Sequence, residues 1–163
     1  MIKKVAIDMD GVLVDFLAGA EKAGFYDPET GYFDEEKFKE VDEHFWADLP
    51  PIVEGLWLYS RLYAFSKKHE LKIYILSNAV DNIARIGKKI WLEQNLNANP
   101  MDIVFVAKRR DKADFADKET VLIDDYEKNI EGFRAAKGNA VLFCRNDMKK
   151  TLEDLRVFLN DID

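Results

Sequence analysis

Five short apolar runs constrain this chain more than any other feature. They lie at residues 5–7, 73–76, 103–106, 121–123 and 140–143, and none alternates cleanly with polar residues. A strand with one wet face alternates, whereas a strand covered on both faces need not. Continuous runs of this kind therefore predict parallel strands inside a layered structure. Parallel strands need crossovers, and helical spacing fills the gaps between the runs. Residues 54–69 place Leu58, Leu62 and Phe65 on one stripe, and residues 80–96 place Ile83, Ile86 and Ile90 likewise. Residues 127–137 offer Ile130 and Phe133, with Gly138 as the residue just past the helix end. Residues 147–160 space Met148, Leu152, Leu155 and Leu159 at helical intervals. The expectation is α/β: an open, three-layer parallel sheet of about five strands.

One interval breaks the rhythm. Residues 8–53 separate the first run from the next helix and hold Phe16, Phe25, Tyr26, Tyr32, Phe33, Phe38, Phe45 and Trp46 among acidic residues. A crossover needs far less chain. The segment at about 16–51 reads as a small helical cap inserted after the first strand, closed by Pro50-Pro51. The core is then 1–15 and 52–163 of a single domain, because 163 residues leave little room for two cores. No run of about 18 apolar residues exists, so no membrane partner is expected. An aspartate arrives at position 8, before a signal-type apolar region could form, and Cys144 is the single cysteine. Both fit a cytoplasmic protein without disulfides. A net charge of −7 argues against extended nucleic-acid binding. No apolar seam indicates an oligomeric state.

Chemistry concentrates where the apolar runs end. The first runs into Asp8-Met9-Asp10-Gly11-Val12-Leu13-Val14-Asp15, with carboxylates at i and i+2. In an open α/β sheet the carboxyl ends of the strands form the ligand crevice. Two close acids there need a cation or a shared proton, and Mg²⁺ is the usual hard cation when phosphate is the partner. A plain turn with solvated aspartates is the structural alternative. The fourth run ends in Asp124-Asp125, where an N-cap would explain one aspartate better than two. Four acids at two strand ends favour a metal site. The second run ends in Ser77-Asn78, which can cap a helix or present a hydroxyl and N–H groups to an anion. After the third run comes Lys108-Arg109-Arg110-Asp111-Lys112, either a solvated loop or the source of a lysine that neutralises a phosphoryl group.

Taken in order, Asp8-Met9-Asp10-Gly11-Val12, Ser77, Lys112 and Asp124-Asp125 resemble the four motifs of the haloacid dehalogenase (HAD) superfamily of phosphohydrolases, over nearly the whole chain. The run Asp8 to Phe16, with an aromatic-rich cap behind it, is most similar to the 5′(3′)-deoxyribonucleotidase branch. The resemblance implies a Rossmann-like core and a Mg²⁺-dependent phosphomonoesterase that works through an aspartyl-phosphate. It implies Asp8 as nucleophile and Asp10 as general acid and base, with a metal held by Asp8, the Asp10 backbone carbonyl and Asp124. Asp125 would serve through water or by supporting a ligand. Ser77, Asn78 and Lys112, with Lys108 as rival, would hold phosphate oxygens. Phe16, Phe45 and Trp46 are candidates for a substrate pocket, against the alternative that they form the cap's own core. A nucleoside monophosphate is the expected substrate, with another small phosphorylated metabolite or a nucleic-acid phosphate end as alternative. His44 and His69 have no part in this chemistry. A phosphoryl-accepting receiver would carry its acids and lysine in another order, and a non-catalytic phosphate-binding protein would not need every motif position filled.

Overall fold

The computed structural model describes residues 1–96, 102–160 and 162. Its helices are α1 (Phe16–Lys22), α2 (Glu35–Lys39), α3 (Glu43–Ala47), α4 (Val53–His69), α5 (Asn82–Leu96), α6 (Glu127–Ala135) and α7 (Met148–Arg156). Its strands are β1 (Lys4–Ile7), β2 (Lys72–Asn78), β3 (Ile103–Val106), β4 (Thr120–Asp124) and β5 (Asn139–Leu142). They form one parallel sheet in the order β3-β2-β1-β4-β5. Ile7 pairs with Ile75 on one side and Ile123 on the other, so β1 and β4 end level at the sheet centre.

Side chains alternate between two cores. Val5, Ile7, Ile75, Val121, Ile123 and Val141 pack with Leu58 and Leu62 of α4, Trp91 and Leu92 of α5 and Leu155 of α7. Ala6, Tyr74, Leu76, Leu122 and Ala140 pack with Ile130 and Phe133 of α6. Because both faces are covered, the strands lack a polar alternation, and the three-layer α/β expectation holds.

Helix α5 forms where its periodicity places it, but it turns another face inward. Ile83 and Ile86 are exposed; the buried residues are Ala84, Gly87, Lys88, Trp91 and Leu92. The reason is the approach of α3. A Cβ on Gly87 would sit 2.2 Å from the Glu43 carbonyl oxygen and 2.5 Å from the Trp46 Cβ. Only glycine at position 87 lets α3 come that close. Trp91 fixes the rotation further by donating its indole N–H to the Leu49 carbonyl at 2.8 Å. At the end of α6 the left-handed residue is Lys137, with φ of 68°, rather than Gly138. Gly138 is small for a different reason, since a Cβ there would lie 2.4 Å from the Phe133 ring.

Between β1 and α4 the acidic residues of the aromatic segment act as helix caps. Asp15 accepts from Ala18 N, Asp34 from Lys37 N, and Asp42 from His44 N and Phe45 N. Helices of five to seven residues are not stable alone. An aromatic cluster holds them: the Phe16 ring meets Phe25, Phe33, Phe38, Phe45 and Trp46 at centroid distances of 5.7 to 6.5 Å. The chain entering the segment and the chain leaving it are hydrogen-bonded to each other. Asp15 N donates to Pro50 O, and Ile52 N to Leu13 O, both at 2.8 Å.

Candidate active site

The backbone ladder carries Asp8 one residue past β1, where its N–H donates to the Ile123 carbonyl at 2.9 Å. That register sets the Asp8 side chain beside Asp124 at the end of β4, and both are buried. Lys112 lies between them, with Nζ 2.8 Å from Asp8 Oδ1 and 2.7 Å from Asp124 Oδ2. It comes from a 3₁₀ helix, Arg109–Phe115, which turns Lys112 inward while Lys108 stays exposed. Of these two lysines, Lys112 is the one that contacts Asp8 and Asp124 among the described residues. Asp124 is fixed further by Asn129 Nδ2 at 2.9 Å on Oδ2 and by Tyr126 N at 2.9 Å on Oδ1. Asp8 Oδ1 also accepts the Met9 N–H at 2.7 Å.

Asp125 sits at the opening of this floor. Gly11 makes room for it: the residue has φ of 79°, and a Cβ there would fall 2.1 Å from Asp125 Oδ2. One oxygen from each of Asp8, Asp124 and Asp125 lies within 4.8 Å of the others. The charges do not balance. Burial raises the Asp8 carboxyl to about 8; Lys112 opposes the rise, while Asp124 and Asp10 add to it. Loss of water contact and the Asp124 charge raise Asp125 to about 6. Burial alone would lower the Lys112 ammonium, but Asp8 and Asp124 outweigh it and hold it above its ordinary value. An all-oxygen cluster with surplus negative charge, two of its three acids buried, fits a hard divalent cation.

A second cluster stands beside the first. The Asp10 carboxylate turns away from the three acids toward Lys88, whose ammonium binds Asp10 Oδ2. Lys88 Nζ also donates to Ser77 Oγ at 3.1 Å and to the Asn78 carbonyl at 2.6 Å. Ser77 is fully buried, and its hydroxyl faces Lys88. It does not cap α5; Asp81 accepts the Ala84 N–H instead. The Asn78 amide is committed to the Val106 and Ala107 carbonyls at 3.1 and 2.8 Å, where it ties β2 to the loop after β3.

Above both clusters opens a cavity of about 670 Å³. Asp8, Asp10, Lys88, Lys112 and Asp125 line its polar part, and Phe16, Phe33, Phe38 and Trp46 form an aromatic wall. Phe45 packs behind that wall, against Phe16, Phe25 and Trp46. Of the three aromatics expected at the pocket, Phe16 and Trp46 line it, and Phe33 and Phe38 stand where Phe45 was expected. Arg145, paired with Asp15 at 2.7 Å, and Arg109, whose guanidinium lies over the Tyr126 ring, stand among the lining residues. His44 and His69 are exposed, and His69 stacks on Phe65.

Lys88 is the residue that reading the sequence missed. A signal was present: with Ala84, Trp91 and Leu92 inward, Lys88 occupies a core position of α5, where an unpaired lysine is almost never found. The isoleucine stripe masked it.

No family model matches the sequence, and no curated protein matches it. Solved structures do share its fold. An L-2-haloacid dehalogenase from Xanthobacter autotrophicus superposes with a TM-score of 0.56 at 14% identity, over 97% of this chain and 84% of that one. A hydrolase from Streptococcus pneumoniae gives 0.53 at 16%, over 98% of each chain. A HAD-family enzyme from Bacteroides thetaiotaomicron, solved with magnesium and inorganic phosphate, gives 0.51 at 18%, over 90% of this chain and 96% of that one. At such identities the likeness speaks for the fold, and the five-stranded parallel sheet with flanking helices is common to these enzymes.

Proposed function

We propose that this chain is a HAD-type phosphomonoesterase that depends on a divalent cation, Mg²⁺ by preference, and releases phosphate from a small organic ester. The observation that carries the reading is the Asp8–Lys112–Asp124 bridge with Asp125 alongside: three acids, one ammonium and a cavity above them. Asp8, Asp124 and Asp125 would hold the cation, which when bound offsets the charge of a dianionic substrate.

Asp8 is the nucleophile. Two donors on its Oδ1, Lys112 and the Met9 N–H, aim the carboxylate. Attack on phosphorus forms an acyl phosphate on Asp8 while the ester P–O bond breaks. Asp10 gives its proton to the departing oxygen, then takes one from the water that hydrolyses the acyl phosphate. Lys112 has two protein acceptors among the described residues, so its third N–H is available to a phosphoryl oxygen.

For substrate, we propose a nucleoside monophosphate. The cavity is of ligand size, and its wall of Phe16, Phe33, Phe38 and Trp46 suits a flat base. Phosphate release with Mg²⁺ tests both levels. The panel is 5′- and 3′-ribo- and deoxyribonucleoside monophosphates, sugar phosphates, an aryl phosphate and a 3′-phosphorylated oligonucleotide. Turnover concentrated on nucleotides supports the full reading. Faster turnover of sugar phosphates or of the oligonucleotide end overturns the substrate, and no turnover by folded protein overturns the chemistry.

A further inference from the structure

Lys88, Lys112, Arg145 and Arg109 are the cations that line the cavity, and three of them are committed to the protein. Lys88 donates to Asp10, Ser77 and the Asn78 carbonyl. Lys112 bridges Asp8 and Asp124. Arg145 meets Asp15 at 2.7 Å and Glu54 at 3.6 Å. The Arg109 side chain has no acid and no hydrogen-bond acceptor among the described residues; its guanidinium lies over the Tyr126 ring, 5.4 Å from the centroid. A ring face supports a guanidinium without using the N–H fork that matches a carboxylate or a phosphate. The acid of the same turn is engaged elsewhere: Asp111 accepts the Lys108 N–H at 3.1 Å and lies 3.8 Å from Arg110. The basic run is also sorted by the turn that carries it. Arg109 and Lys112 line the cavity, and Lys108 and Arg110 do not. In a 3₁₀ helix, residues i and i+3 eclipse, so Arg109 stands on the Lys112 face, one turn or about 6 Å further along.

We infer that Arg109 is a specificity-determining residue that takes a second phosphoryl group of the substrate, carried on the body of the molecule and not at the ester being cleaved. Lys112 marks the place of the phosphate that is released, beside Asp8. A group held by Arg109 lies a turn further out. That offset exceeds the span of a directly linked diphosphate and suits two phosphates on different hydroxyls of one sugar. The guanidinium fork can meet such a group through two parallel N–H bonds. The aromatic wall keeps its part as the seat of a flat base, so the ligand is a nucleotide with a phosphate beyond the one released. A net charge of −7 provides no field for a long strand, which favours a nucleoside bisphosphate over an oligonucleotide end as the source of that group. This inference rests on the phosphomonoesterase reading and extends its nucleotide substrate.

The test measures phosphate release with Mg²⁺ from a nucleoside 3′,5′-bisphosphate and from the matching 3′- and 5′-monophosphates. In wild type, kcat/KM for the bisphosphate should exceed that for the better monophosphate by at least about tenfold, the scale of one hydrogen bond to a charged group. Arg109→Gln should erase that preference, with the loss on the bisphosphate seated in KM. Arg110→Gln makes the same charge change in the same turn, outside the cavity lining, and should keep the preference. Arg109 is exposed, so its variant should unfold at the wild-type temperature, and the comparison is made on folded protein. No preference in wild type, equal losses across the esters in Arg109→Gln, or the same loss in Arg110→Gln overturns the inference. A preference greater still for a 5′-phosphorylated dinucleotide overturns the small nucleotide as the source of the second phosphoryl group. Wild-type protein inactive on every ester overturns the phosphatase reading itself, a separate and visible failure.

Discussion

The two ends of the central sheet use aspartate in opposite ways. At the amino end, Asp117 accepts from Lys4 Nζ at 2.5 Å, Thr120 Oγ1 at 2.7 Å and Glu119 N at 2.9 Å. Those hydrogen bonds, Lys4 and Thr120 foremost, hold its carboxyl below the ordinary value. Lys3 pairs with Glu119 beside it at 2.6 Å. At the carboxyl end, Asp8 and Asp125 are held above the ordinary value, burial being the first cause in both. One end gives each acid its donors; the other gathers acids faster than donors. Crowding of this kind lowers the stability of the free protein and is a signature of sites that await a ligand. The difference teaches where function was built: the same strands that close one end neatly deliver surplus charge at the other.

The largest test of this contrast is Asp8→Asn. Removing the nucleophile should reduce phosphate release to below about 1% of wild type, the scale expected when a covalent nucleophile is lost. Without added cation, the same variant should unfold at a higher temperature than wild type. Asn still accepts from Lys112 and Met9, and Lys112 is left one-to-one with Asp124. Residual turnover above that level would remove Asp8 as nucleophile, and a lowered unfolding temperature would mean the floor is not overcharged.

Next in size is the pair Lys112→Ala and Lys108→Ala. Loss of Lys112 strands two buried carboxylates, which should cost about 3–5 kcal/mol of stability together with most activity. Lys108 is exposed, and its removal should stay within about 0.5 kcal/mol. Lys112→Arg, which keeps the charge, reports on function if the alanine variant does not fold. A greater loss at Lys108, read from phosphate release and urea unfolding, would reverse the assignment.

These outcomes bear on how much of the molecule could be read from its residues. Asp8, Asp10, Asp124 and Asp125 were legible because each acid pair directly follows an apolar run, a local pattern that a parallel sheet converts into position. Lys112 was legible as one of two choices; the 3₁₀ helix that separates it from Lys108 is a local turn that composition does not announce. Lys88 and the true inner face of α5 were not legible, because α3 selects that face from far along the chain through Gly87 and Trp46. For the same reason Phe45 lies behind the aromatic wall and Phe33 and Phe38 lie on it: short helices fold back by tertiary packing, not by their own periodicity.

A cation should reverse the imbalance, and more so at high pH. Asp8 and Asp125 are raised, so between about 4 and their folded values the native state binds more protons than the unfolded chain. Their favourable contribution is complete below the unfolded value of 3.8 and is lost as pH rises through about 6 and then about 8. Stability of the cation-free protein should therefore decline over that window. Saturating Mg²⁺ should raise the unfolding temperature, by the equivalent of about 2.7 kcal/mol at a hundredfold excess over Kd, with a larger effect at pH 8 than at pH 5. A shift that is the same at both pH values would mean the cation does not meet these carboxylates.

The smallest effect belongs to the amino end. Asp117→Asn removes a surface-exposed charge pair, so the loss should not exceed about 1 kcal/mol. Its sign with pH is opposite to that of the site. A lowered carboxyl contributes stability that is present above its unfolded value of 3.8 and is lost as pH falls through its folded value. Wild type and Asp117→Asn should therefore differ in unfolding temperature at neutral pH and converge in acid, while phosphate release is the same in both. The variant sits at the far end of β4 from Asp124, with the whole strand between them. If it changed turnover, the two ends of the sheet would not be separable, and the surplus charge at the carboxyl end would have to be explained by strain transmitted along β4 rather than by the demands of a ligand.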